Sequence, residues 1–201
     1  MKITKALPLG WIVSLIFILG TIIFGGILES YNPVSQTVSE IGQEGSPLQL
    51  PWQMFATSIG FLIIVFAIAM IVFAKRNILL IWPAIFLLAY GLSQFGIGMF
   101  PAPHPLHNVF GLSMTIGYFA PLVFVLAWRN KLGKQFKDLS WLAFVLIILG
   151  IFLNLSPAFA PNLYPLEYYG FVQRFLLFTF YAYVAFVSYQ LMRLSKLPQK
   201  N

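Results

Sequence analysis

The amino-acid sequence predicts an all-α polytopic membrane protein, a single domain over residues 1–201 built as a bundle of six transmembrane helices with a short interfacial helix between the first two. Three observations lead there. Hydrophobic residues make up 60% of the chain and charged residues only 8%, whereas a soluble domain would carry about a quarter charged residues. The apolar residues fall into runs of about 20, the length needed to cross a hydrocarbon core. The basic residues cluster between alternate runs, as they do when Lys and Arg are retained on one side of a membrane. The net charge of +7 therefore belongs to topology, and no nucleic-acid partner is expected. Cysteine is absent, which excludes disulfides, thiolate metal sites and a cysteine nucleophile.

The first span is expected over residues 7–28. Lys2 and Lys5 precede it as in a signal peptide, but the apolar run is too long and no small-residue cleavage site follows, so it reads as an anchor. The second (52–74) and third (78–100) are separated only by Lys75, Arg76 and Asn77, which makes them an antiparallel hairpin. The fourth is expected over 108–128, the fifth over 139–159 and the sixth over 165–192. Pro83 and Pro121 should kink the third and fourth helices. Gly91, Gln94 and Gly98 lie on one face of the third and favour close helix packing. Trp11, Trp52, Trp82, Trp128 and Trp141 sit near span ends, as interfacial anchors do.

Between the first two spans runs the longest polar segment, from Tyr31 to Gly42. Asn32 suits a helix N-cap, Pro33 the first helical position and Gly42 the C-terminus. Val34, Val38 and Ile41 then form a narrow apolar stripe, with Ser35, Ser39 and Glu40 off it. Such a helix should lie along the membrane interface.

In a six-span topology eleven of the twelve basic residues lie on one side, so both termini are expected in the cytoplasm of a multi-pass cell-membrane protein. The other side carries Arg174, four of the five acidic residues and both histidines. Titratable chemistry is thus concentrated at the extracytoplasmic face. Glu29 and Glu44 need no further explanation there, and Glu167 after Pro165 suits a helix N-terminus. Arg174 lies inside the sixth span, where a charge needs a partner or a function. Its candidate partners are Glu167 and Glu40, and its candidate use is to grip a phosphate or carboxylate.

The third and fourth spans are joined by a proline-rich turn, from Phe100 to Asn108, that holds His104 and His107 in place. His104, His107 and Glu40 could supply three ligands to zinc; two histidines in such a turn also serve to cap helices or bond carbonyls. No other metal set is present, and no histidine stands on a facing helix to complete a haem site. The catalytic candidates are Glu40 or His107 as general base and Ser39 as nucleophile or hydrogen-bond donor. The ligand-binding candidates are Arg174, Gln173, His104, Tyr31 and Asn32.

Tyr31-Asn32-Pro33-Val34-Ser35 running to Ser39-Glu40-Ile41-Gly42, followed by Phe100-Pro101 and then His107 with Gly111, resembles a widespread microbial family of six-helix membrane proteins catalogued as a domain of unknown function. The resemblance implies the six-helix architecture and no activity. Many members carry an aspartate followed by proline after Phe-Pro; this chain has Ala102, Pro103 and His104, which makes His104 the candidate for that role. The functions compatible with these residues are an enzyme acting on a lipid or lipid-linked anionic substrate at the outer leaflet, a small-molecule transporter, and a structural or partner-binding protein. Membrane lipids are the expected partners in each case. The sequence does not fix the oligomeric state.

Overall fold

A computed structural model describes residues 3–196. Lys2 and Lys200, counted in the topology, lie outside the described residues. The long helices are α1 (Leu9–Ile27), α2 (Gln49–Arg76), α3 (Trp82–Met99), α4 (Pro105–Tyr118), α5 (Ala120–Leu155) and α6 (Tyr169–Ser195). Among the described residues they supply six spans long and apolar enough to cross a membrane. The chain is an integral membrane protein.

The spans match expectation in number and order, with local differences. Pro83 does not kink α3. It stands in its first turn, where a missing N–H costs nothing, so the link after α2 is longer than three residues. Pro121 likewise opens α5 after the chain breaks at Phe119. α5 contains two legs: the first completes the fourth span and the second is the fifth. They turn at Gly133, whose φ of 80° and ψ of 176° suit a residue without Cβ.

Inside a bilayer, helices associate chiefly through close van der Waals packing, which small residues permit. α2 and α3 form the tightest pair: a Cβ at Gly60 would collide with the backbone of Phe95, and one at Gly98 with the backbone of Thr57. α3 also packs on α4 and on α5, while α6 packs on α1 and α5. Phe66, Tyr90, Phe124, Trp128, Phe180 and Tyr181 fill the centre. Of the tryptophans, Trp11, Trp82 and Trp141 are exposed at the surface, but Trp52 and Trp128 are buried. Trp128 donates from Nε1 to the Leu80 carbonyl at 2.8 Å, so it ties the bundle together rather than anchoring it to lipid. The outer face of α1 exposes Trp11, Ile12, Leu15, Ile16, Leu19, Ile22 and Ile23, an apolar surface that lipid covers.

Candidate functional site

The polar segment after α1 is a folded loop ending in a short 3₁₀ helix, Val38–Gly42. The helix starts later than Asn32 because two local hydrogen-bonding patterns compete with a continuous helix. The Asn32 side chain accepts from the Val34 N–H at 2.9 Å and turns the chain at Pro33. Thr37, not Asn32, is the N-cap: the Glu40 carboxylate accepts from the Thr37 N–H and from its hydroxyl, each at 2.8 Å, as in a capping box. The other Glu40 oxygen accepts from Gln36 Nε2 at 3.2 Å. Val38 and Ile41 are buried and Gly42 closes the element as expected, whereas Val34 is exposed.

α6 holds this loop. Arg174 Nη1 donates to the carbonyls of Pro33 at 2.7 Å, Gln36 at 2.8 Å and Gly170 at 3.0 Å, and Nη2 donates to the Tyr31 hydroxyl. The Tyr31 hydroxyl in turn donates to the Thr37 carbonyl at 2.7 Å. Burial pushes the Tyr31 phenol above its ordinary value, against the opposing pull of Arg174, so it serves as a neutral donor. The hydrogen bonds of Arg174 thus run to backbone carbonyls and a phenol, and not to Glu40 or Glu167 as the sequence led one to expect. Glu167 is exposed in a separate turn. Gly170 is required where it stands, since a Cβ would strike the Gln36 and Pro33 carbonyls. Gln173 completes the docking, its Oε1 accepting from the Val38 N–H at 2.7 Å.

This scaffold sets Ser39 against α4. Ser39 Oγ lies 3.0 Å from His107 Nε2, and His107 Nδ1 lies 2.7 Å from the Phe100 carbonyl oxygen. A carbonyl can only accept, so Nδ1 carries the proton of the neutral ring and Nε2 is left to accept from the serine hydroxyl. The two histidines have separate fates. His104 is exposed, stacks on Phe100 and caps α4, its Nδ1 accepting from the Leu106 N–H at 3.1 Å. His104 is thus engaged at the start of α4 and not in the Ser39–His107 pair.

Ser39, His107 and Gln173 line a cavity of ≈ 480 Å³ between α4 on one side and α5 and α6 on the other, within the size range of small-molecule sites. Tyr31, Asn32, Glu40, His104 and Arg174 are not among its lining residues. The ligand-binding candidates thus divide: Gln173 reaches the cavity, while Arg174, Tyr31 and Asn32 build the loop behind it. Asn108, Thr115 and Tyr118, which were not among the candidates, also line it, as does Gly111, noted only as part of the family motif. A signal was present, for His107, Gly111, Thr115 and Tyr118 recur at four-, four- and three-residue spacing along one helical face. The Phe100 carbonyl, being backbone, leaves no such trace.

The set of His104, His107 and Glu40 does not form a zinc site. One imidazole caps a helix, the other is bonded at both nitrogens and the carboxylate closes its own capping box. Among the described residues no group of three His, Asp or Glu side chains is placed to hold a metal ion.

A family model with the description "Protein of unknown function (DUF998)" matches residues 11–189. No curated protein and no solved structure matches the chain.

Proposed function

The chain belongs to the family described as Protein of unknown function (DUF998), and because that description assigns no activity, we propose from the geometry of the cavity that it is a membrane-embedded serine ester hydrolase. The carrying observation is the Ser39–His107 hydrogen bond, with the imidazole held by the Phe100 carbonyl. A nucleophile, a base and a third group orienting the base form the arrangement that activates a serine.

In the proposed reaction Ser39 Oγ attacks the carbonyl carbon of an ester while its proton passes to His107 Nε2. The tetrahedral intermediate collapses, and the leaving alcohol takes that proton from Nε2, leaving an acyl ester on Ser39. Water then gives a proton to Nε2 as its oxygen attacks the acyl carbon. The acid departs and Ser39 Oγ recovers its proton. Throughout, Nδ1–H stays on the Phe100 carbonyl, which orients the ring and stabilises the transient imidazolium. Gln173 is the oxyanion donor: its Oε1 is occupied by the Val38 N–H, which leaves the Nε2 hydrogens for the cavity it lines. Glu40, Arg174, Tyr31 and Asn32 are positioning residues that fix the Ser39 segment.

The site faces the extracytoplasmic side in this reading, since the basic residues lie between the opposite span ends. The test is hydrolysis of p-nitrophenyl butyrate by the protein in detergent. Ser39→Ala should abolish turnover and leave the folded yield unchanged; equal turnover by the variant would overturn the proposal. The Arg174 network favours a structural role for the loop itself, and the two readings part at Ser39, whose removal costs a strut nothing but one hydrogen bond.

A further inference from the structure

The cavity extends well beyond the Ser39–His107 pair. Below it the wall is largely apolar, with Phe17 from α1, Ala56 from α2, Ile97 from α3, Met114 from α4 and Leu176 from α6. Three residues that line this space are also exposed: Asn108 in the first turn of α4, Leu112 of α4 at 66% and Leu155 at the end of α5 at 50%. A residue that both lines a cavity and is open to the outside marks its mouth. This mouth lies between helices of the bundle, on a surface that the bilayer covers, and α4 makes few contacts with α5 to close it. Gly111, one position from Leu112, also lines the cavity, and a Cβ built there meets nothing within 4 Å. The space beside it is open.

We infer that the cavity is an acyl-chain chamber entered sideways from the bilayer between α4 and α5, and that the substrate is a membrane lipid ester whose carbonyl reaches Ser39 while its chain occupies the apolar wall. The inference rests on the Ser39–His107 reading for the chemistry, and on the mouth and wall for the substrate class. A chain arriving from the hydrocarbon core exchanges one apolar environment for another, so entry carries no dehydration cost for the lipid tail. A polar headgroup stays near the loops, outside the apolar part. Gly111 lines the chamber, and a side chain at that position would extend into open space without striking the protein.

The test uses the full-length protein in vesicles containing a phosphatidylcholine with a diazirine in its acyl chain, with photocrosslinks mapped by mass spectrometry. In Ser39→Ala protein, crosslinks are expected on Met114 and Leu176, and Gly111→Phe should reduce them roughly tenfold. Gly111→Ala serves as the folded control and should leave them in place. Crosslinks confined to the outer face of α1, unchanged by Gly111→Phe, would overturn the chamber. Turnover supplies the second readout: Gly111→Phe should lower turnover of p-nitrophenyl palmitate far more than that of p-nitrophenyl butyrate, and an equal effect on both would also overturn it. If Ser39→Ala retained turnover while the chamber crosslinks persisted, the nucleophile assignment would fail and the chamber would stand. If Ser39→Ala lost turnover but no crosslink entered, the chamber would fail alone.

Discussion

Arg174, a charged residue within the sixth span, donates to the hydroxyl of Tyr31, a residue 143 positions earlier, and its guanidinium carbon lies 5.5 Å from the centre of that ring. With the three carbonyls on Nη1, this contact turns an isolated charge into the clamp that joins the 31–42 loop to α6. The fork of the guanidinium matters as much as its charge, because it serves several acceptors at once.

Arg174→Ala should therefore lower stability by about 2 kcal/mol, the scale of hydrogen bonds made by a charged group. Arg174→Lys should recover little of the loss, since an ammonium cannot hold the forked geometry. Thermal unfolding in detergent reads both, with proteolysis of residues 31–37 as a local reporter. An unchanged unfolding temperature in Arg174→Ala would show that Arg174 does not clamp the loop.

Tyr31 gives the same contact a pH dependence. Its folded-state value is raised above 10.0, first by burial, so the folded protein holds the phenolic proton more tightly than the unfolded chain. By linkage that contribution is fully present below pH about 10 and is lost as pH rises through the folded value. The stability difference between the natural protein and Tyr31→Phe should shrink above pH about 10, as followed by unfolding across a pH series.

The glycines should divide by what faces them. Gly111→Ala, in a helix and beside open space, should stabilise by about 0.5–1 kcal/mol because alanine has the lower entropic cost. Gly60→Ala forces a side chain against the Phe95 backbone and should cost about 1–3 kcal/mol. Unfolding temperatures of the two single variants in one detergent decide the contrast.

Topology is open to direct labelling because the chain has no cysteine. Glu44→Cys, exposed in the loop after the 3₁₀ helix, should react with an impermeant maleimide on intact cells. Lys134→Cys, beside the Gly133 turn, should react only after permeabilisation. The reverse pattern would place the Ser39 site in the cytoplasm.

Much of the fold was legible in the sequence because hydropathy runs and basic clusters are local signals that a bilayer enforces. Where local hydrogen bonding competes with helix, the residue pattern misleads: Asn32 and Pro33 look like a helix start, but Asn32 makes a turn and Thr37 with Glu40 makes the cap. Pro83 and Pro121 look like kinks until the helix starts are known. Ser39 and His107 were both candidates, but their pairing depends on a contact 68 residues apart in sequence. It also depends on the clamp at Arg174, whose partners are backbone carbonyls that side-chain charge could not point to.

If His107 activates Ser39, a fluorophosphonate should react at that serine, as peptide mass spectrometry reads. A covalent adduct is expected on Ser39 of the natural protein, formed roughly 10²–10⁴-fold more slowly in His107→Ala. A folded protein that forms no adduct on Ser39, or one that reacts equally fast without His107, would contradict it.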